Sequence, residues 1–150
     1  MLLYIVTLIT LYLPLSAQAD NDKELSSGGT IYIPIYSNIY AGPKAVPHQL
    51  ATLLSIHNID PKNSITILKA DYYDSNGQFI ESYIKSPISL KPFHHTFIYL
   101  KEYDKRGGPG ANFIVNWRAD KKVNQPIVEA LIYGSRAGLS FTSHGRTITE

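Results

Sequence analysis

The sequence predicts an all-β chain, an antiparallel β-sandwich of the immunoglobulin-like kind with about seven to nine short strands. Apolar residues recur at every second position in short runs, as they do on the buried face of a strand. Turn-forming residues separate these runs at short intervals, and no convincing helical pattern follows the first 19 residues. A small β-barrel is the alternative, because similar strands also close into barrels.

The clearest strand pattern lies between residues 50 and 84. The runs Leu50–Ile56 and Ile65–Tyr72 are separated by Asp60-Pro61, which disfavours a continuous helix. Asn76-Gly77 supplies residues that tolerate the positive φ of tight hairpin turns, and Phe79–Ile84 supplies a return strand. We therefore expect a three-stranded meander with Leu50, Leu54 and Ile56 facing the core.

The remaining strands are predicted from the same alternation. Pro34 lacks an amide donor, so its strand should lie at a sheet edge or carry a bulge. Ile127–Gly134 could be a strand or a helical turn, and the apolar residues at both odd and even positions favour a strand buried on both faces. The other predicted strands are Thr30–Tyr36, Thr96–Leu100, Asn112–Arg118, Leu139–Thr142 and Arg146–Thr149, with a short edge strand or crossover in Ser86–Pro92. Tyr40–His48 and Tyr103–Gly110 are predicted loops, and Asp120–Pro126 a polar turn.

The N-terminal segment predicts export. Residues 1–19 read as a signal peptide, because Met1–Leu15 is apolar and uncharged and Ser16-Ala17-Gln18-Ala19 supplies a small-residue cleavage site. A membrane anchor is disfavoured because about 20 apolar residues are needed to span a bilayer and Pro14 interrupts this shorter run. We expect a flexible arm at residues 20–29, one domain at residues 30–150 and no stable membrane insertion after cleavage.

The composition of the chain restricts the cellular compartments and the classes of partner that we expect. The chain has no cysteine and no Asn-x-Ser/Thr acceptor, a combination that favours a bacterial periplasmic or secreted location over a eukaryotic secretory route. Its net charge of +2 provides no basic stripe, so a nucleic-acid partner is not expected.

Five segments together resemble a known family. They are Ile31–Ser37, Leu54–Pro61, Asp71–Gly77, Gly110–Trp117 and Pro126–Ala130. The segments are similar to those of an uncharacterised bacterial family of exported proteins, the domain of unknown function 3124, over about Gly29 to Ile148. The resemblance implies export and assigns no activity. His57 departs from the pattern, in which an Arg is expected near this position.

Catalytic and metal-binding signals are weak. His94 and His95 are adjacent, so in a strand they point to opposite faces, although His57, one of this pair and a carboxylate could still converge in a metal-binding accessory protein. Ser140, Ser143 and His144 lack a G-x-S-x-G frame. We predict no catalytic residue, metal ligand or cofactor and leave the question of enzymatic activity open.

One candidate site surrounds the Gly-rich loop. A Gly-rich loop next to a strand bearing Arg can hold an anion, which suggests a small-molecule or anion-handling enzyme near Gly107–Asn112 as an alternative. Its candidate binding residues are Asn112, Trp117, Arg118, Ser143 and Arg146.

The preferred hypothesis is a binding module. Tyr32 and Tyr36 share the strand face opposite Ile31, Ile33 and Ile35, and exposed tyrosines are common in recognition surfaces. We therefore predict a non-enzymatic interaction module of the bacterial cell envelope, with a partner protein or glycan bound at the Thr30–Tyr36 edge by strand addition or side-chain contact.

Overall fold

The computed structural model describes residues 24–135 and 138–149, which form twelve β-strands and one short 3₁₀ turn. The strands are β1 (Ser26–Ile35), β2 (Asn38–Ala41), β3 (Val46–Gln49), β4 (Ala51–His57), β5 (Ile65–Tyr73), β6 (Phe79–Ser82), β7 (Ile88–Leu90), β8 (His95–Leu100), β9 (Ala111–Val123), β10 (Ile127–Gly134), β11 (Leu139–His144) and β12 (Arg146–Ile148). The predicted signal peptide lies outside the described residues.

Two antiparallel sheets pack face to face as a β-sandwich. The larger sheet has the order β12-β1-β9-β5-β6, with β7 also paired to β5, and the smaller sheet has the order β11-β10-β4-β8. Within the described residues neither sheet closes on itself, so the sandwich is confirmed and the barrel alternative is wrong. Strands β2 and β3 form a separate hairpin that spans the predicted Tyr40–His48 loop and extends beyond it at both ends, which contributes to a strand count above the predicted seven to nine.

The structure differs from the prediction for strand β1 in two respects, namely where the strand begins and whether it is a free sheet edge. The strand begins at Ser26, so four residues of the expected flexible arm instead belong to the strand, and three of them, Ser26, Gly28 and Gly29, pair with β9. It is also not a free edge over Thr30–Tyr32, because β12 covers that side. Pro34 lies beyond the β12 pairing, where a missing amide donor costs no ladder hydrogen bond on the open side. The expected alternation is confirmed by burial of all three isoleucines.

The predicted three-stranded meander is wrong for its first two strands. Strands β4 and β5 lie in different sheets, whereas β5 and β6 form the predicted hairpin. The Asn58 side chain holds the crossover by donating to the carbonyls of Asn63, Leu90 and Lys91. Asp60 accepts from the backbone amides of Lys62, Asn63 and Asn124, and these hydrogen bonds hold its pKa well below the ordinary range. Buried polar turns thus join the two sheets.

The core lies between the inner faces of the sheets. Leu50, which directly precedes β4, and Leu54 and Ile56 within it are fully or almost fully buried, as predicted. The larger sheet contributes, among others, Ile65, Ile67, Ala70, Tyr72, Phe113, Val115 and Trp117. A register shift between Ile67 and Lys69 marks a bulge, which explains why the buried face moves from odd to even positions along β5.

Two other strand predictions need correction. Strand β9 continues to Val123 through part of the expected polar turn, because Val123 is buried and Ser26 pairs with it. Strand β10 is buried on one face only: Ile127 and Leu131 are exposed, whereas Val128 and Ile132 are buried. Among the described residues there is no helix with the length and apolar character needed to cross a membrane.

Candidate functional site

A cleft lies on the open side of the sandwich, between the edge strands of the two sheets. Strand β6 ends the larger sheet, β8 ends the smaller one, and the segment after β8 closes the space between them. The cleft has a volume of about 690 Å³, within the range of ligand sites. Its lining residues are Glu81, Tyr83, Tyr99, Leu100, Lys101, Tyr103, Asp104, Lys105 and Arg106.

Arg106 organises the polar wall of this cleft. Its guanidinium binds Asp104 bidentately, with Nε–Oδ1 at 3.0 Å and Nη2–Oδ2 at 2.7 Å. It also donates to Glu81 Oε2 and to the Tyr83 hydroxyl, both at 3.2 Å. The hydrogen bond from Arg106 lowers the pKa of Asp104, and the same bond raises the pKa of Arg106, so both groups are charged at neutral pH.

The aromatic residues behind Arg106 are fixed by packing. Tyr72 is fully buried and stacks on Phe113 at 5.2 Å between ring centroids, and the edge of Tyr83 contacts both rings. The Arg106 guanidinium carbon lies 6.0 Å from the Tyr72 ring centroid, at the outer limit of a cation–π contact. Burial raises the pKa of Tyr72 and of Tyr83, so both hydroxyls remain protonated donors near neutral pH.

The outer rim of the cleft is aromatic and cationic. Tyr103 is 75% exposed and Tyr99 is 47% exposed. Interaction with the Tyr99 hydroxyl raises the pKa of Tyr133. Lys101 and Lys105 are exposed and form no ion pair among residues 24–135 and 138–149. The rim therefore offers open ring surface and two unneutralised ammonium groups.

The Gly-rich loop anchors the cleft to the larger sheet. Ser75 donates from its backbone amide and its hydroxyl to the Gly107 carbonyl, and Gly110 donates to the Ser75 hydroxyl. Gly107 is buried against the Tyr72 hydroxyl, which hydrogen-bonds Ser37 Oγ at 2.9 Å. A Cβ atom at Gly107 would overlap these groups, so the close packing requires glycine.

The candidate residues chosen around this loop do not converge in one cleft. Asn112 pairs with Pro34 and Arg118 with Gly28, six positions along the same strand, which corresponds to about 20 Å. Trp117 is buried on the core face, and its Nε1 atom has no hydrogen-bond partner among the described residues. Ser143 is buried in the smaller sheet, opposite Ala130. The geometry thus separates the groups of the predicted anion site.

The tyrosines of β1 have different surroundings. Tyr32 is a cross-strand partner of Arg146, so the structure brings these two candidate residues together on the outer side of the larger sheet. Tyr36 packs edge-on against Phe141 at 5.6 Å, which connects the end of β1 to β11. Both tyrosines are only partly exposed, and Tyr36 contributes to packing between the sheets.

The histidines considered for metal binding lie on the outer face of the smaller sheet. His57 and His95 stack at 5.3 Å, and His57 Nε2 lies 4.0 Å from Glu129 Oε1. His94 is not part of this pair. In the described part of the chain, no three His, Cys, Asp or Glu side chains are placed to hold a metal ion.

Sequence reasoning missed the cleft because its parts come from distant segments. A local signal is the density of tyrosines and charges in residues 99–106, which falls partly in the predicted strand Thr96–Leu100 and partly in the predicted loop Tyr103–Gly110. Glu81 and Arg106 are 25 positions apart, and nothing in a single sequence predicts their contact. An i, i+2 pair of Asp104 and Arg106 beside two tyrosines is the signal that could have indicated a structured wall.

The fold and the cleft define an antiparallel β-sandwich with a ligand-sized cleft on its open side. The chain belongs to the family of proteins of unknown function DUF3124, whose pattern matches residues 28–148. This confirms the resemblance seen in the sequence. No curated protein matches the chain. The crystal structure of Thermotoga maritima 1070 is similar with a TM-score of 0.45 and 10% identity, over 79% of this chain and 92% of that one.

Proposed function

We propose that this chain is an exported, non-enzymatic binding module of the bacterial cell envelope, and that it binds its ligand in the cleft between β6 and β8. The observation that carries this proposal is the combination of a 690 Å³ volume, exposed tyrosine rings and a prearranged polar wall. Arg106, Asp104 and Glu81 are already hydrogen-bonded to one another, so a ligand meets an ordered surface and little ordering entropy is lost on binding.

Binding is favoured over catalysis by the chemistry of the same wall. Both carboxylates of the cleft are ion-paired with Arg106, and the lowered pKa of Asp104 makes it a poor general acid or base near neutral pH. The residues of the alternative anion-handling site are spread along β9 and across both sheets. An interaction module therefore fits the described geometry better than an enzyme.

Strand addition at β1 is a weaker candidate mode. Strand β12 occupies the side of Thr30–Tyr32 that a partner strand would need. The remaining open stretch contains Pro34, which cannot donate a ladder hydrogen bond. Side-chain recognition in the cleft needs neither an open strand nor a rearrangement.

Sedimentation with a bacterial envelope fraction tests the proposed function. The purified chain is mixed with the fraction, and the amount that co-sediments is compared between the original protein, Tyr103→Ala and Phe93→Ala. Both rings are largely exposed, at 75% and 72%, so neither change should unfold the protein, but only Tyr103 lines the cleft. We expect at least a fivefold loss for Tyr103→Ala alone. Equal retention of all three proteins contradicts the proposal.

Export is tested separately by the mature N-terminus. If residues 1–19 direct secretion, mass spectrometry of the periplasmic or secreted protein should identify a chain that begins at Asp20. Recovery of the protein only in the cytoplasm, with Met1 retained, contradicts this part of the proposal.

A further inference from the structure

We infer that the ligand class of the cleft is an acidic saccharide, a sugar chain that carries carboxylate or phosphate groups. This inference rests on the proposed function, because it assigns a chemistry to the same cleft. Three features of the described residues support it: ring surface, paired hydrogen-bonding groups and uncompensated positive charge.

The ring surface matches the shape of a sugar. A pyranose has apolar C–H faces and a rim of hydroxyl groups, so it packs on an exposed aromatic ring and hydrogen-bonds at its edges. Tyr99 and Tyr103 present such rings at the cleft, with 47% and 75% of their surface exposed. Both rings come from one short segment at the end of β8, where neighbouring sugar units could contact them in turn.

The polar wall matches hydroxyl groups, which both donate and accept. The carboxylates of Glu81 and Asp104 have lone pairs left over after their bonds to Arg106 and can accept from sugar hydroxyls. The Tyr83 hydroxyl accepts from Arg106 and keeps its own proton available to donate. Arg106 uses four of its five N–H groups within the protein, so its role is to hold this wall in place.

The charge balance favours an acidic ligand. Within the cleft, Arg106 pairs with both carboxylates but offsets only one of their two charges, whereas Lys101 and Lys105 have no acidic partner in the described ranges, so the charged side chains that line the cleft sum to +1. An anionic group bound at the rim would supply the counter-charge that these two ammonium groups lack. An acidic peptide is less well matched, because the exposed tyrosine rings suit the C–H faces of a sugar, and binding of a peptide is an outcome of the test below.

NMR titration of the isotope-labelled full chain tests the inference with three probes. The probes are a galacturonate trisaccharide, the neutral galactose trisaccharide and an Asp/Glu hexapeptide. We expect the acidic trisaccharide to bind with a dissociation constant of about 1 mM or tighter, with shifts centred on Tyr99, Tyr103 and Arg106. The neutral sugar should bind about three- to tenfold more weakly, the range that two exposed charge pairs support.

Variants separate the two contributions. Tyr103→Ala should abolish binding of both sugars, whereas the double change of Lys101 and Lys105 to Gln should remove only the preference for the acidic one. Lys44→Gln is the matched control, since Lys44 is an exposed lysine of the β2–β3 turn, outside the cleft. Raising the salt concentration should reduce the preference, because exposed charge pairs are screened.

Three outcomes would overturn the inference: no shift with either sugar, equal affinity for acidic and neutral sugars, or tighter binding of the peptide. Loss of envelope sedimentation by Tyr103→Ala in the same preparations would still support the proposed binding function. Failure of the ligand assignment and failure of the binding function are thus distinguishable.

Discussion

Arg106 donates from Nη1 to Oε2 of Glu81 across 3.2 Å, although the two residues are 25 positions apart. Glu81 belongs to β6 at the edge of the larger sheet, and Arg106 follows β8 at the edge of the smaller one. Their contact therefore ties the two sheets together on the side where the sandwich is open. It also fixes the wall of the cleft to which we assign function.

Removal of the Arg106 side chain should disturb the arrangement of the cleft wall but lower the stability of the fold only slightly. Arg106→Ala should lower the free energy of unfolding by about 1 kcal/mol, because a half-exposed ion-pair network contributes little more than this. Arg118→Ala should have almost no effect, since Asp120, its ion-pair partner within the described residues, is 94% exposed. Urea titration measures both. A loss of several kcal/mol for Arg106→Ala would show that the network is a main support of the fold.

Gly107 should be intolerant of any side chain. A Cβ atom there would lie 2.6 Å from Cβ of Ala111 and would overlap the buried Tyr72 hydroxyl, so Gly107→Ala should cost about 2–3 kcal/mol. Gly110→Ala is the matched control, because its nearest neighbour would lie at 3.5 Å, which is ordinary contact. Thermal unfolding compares the two. Equal melting temperatures would contradict the close packing described for this loop.

Acid should unfold the protein partly through Asp60. Its pKa is lowered in the folded state, so its contribution to stability is present above the ordinary value of 3.8 and is lost as the pH falls toward the folded value. Asp104 acts in the same direction. Asp60→Asn should therefore flatten the decline in urea midpoint between pH about 5 and about 3. Asp120→Asn, at an exposed position, should keep the original decline; an unchanged slope in Asp60→Asn would contradict the assignment.

Strand β10 offers a direct test of which face is buried. Ile132 is fully buried in the core, so Ile132→Ala should cost about 2–5 kcal/mol. Leu131, the preceding residue, is 42% exposed, and Leu131→Ala should cost less than about 1 kcal/mol. Similar losses for both variants would favour a strand buried on both faces, which the alternation of apolar residues alone suggested.

The sequence predicted what local patterns control. Period-two alternation identified the strands and the buried faces of β1, β4 and β9, and Asn76-Gly77 identified the β5–β6 turn. Prediction from the sequence failed where contacts between distant residues determine the arrangement of the strands. Strands β4 and β5 lie in different sheets, and the crossover between them is held by hydrogen bonds of Asn58 to residues more than 30 positions away, which no local rule predicts.

The candidate site shows the same limit. Tyr32 and Tyr36 were chosen from their shared strand face, but the cover provided by β12 and the contact with Phe141 come from the end of the chain. The cleft needs Glu81 and Arg106 to meet, and that requires both sheets to be assembled. Individual tyrosines and charges were visible in the sequence, whereas their convergence was not.

Site-specific photocrosslinking in living bacteria tests the central claim most directly. p-Benzoylphenylalanine is placed at one of three positions: Tyr103 in the cleft, Tyr32 beside β12, or the exposed Phe93 as a control. If the cleft between β6 and β8 is the binding surface, irradiation should give a discrete adduct at position 103 and only background at positions 32 and 93. Adducts at position 32 with none at position 103 would contradict the account.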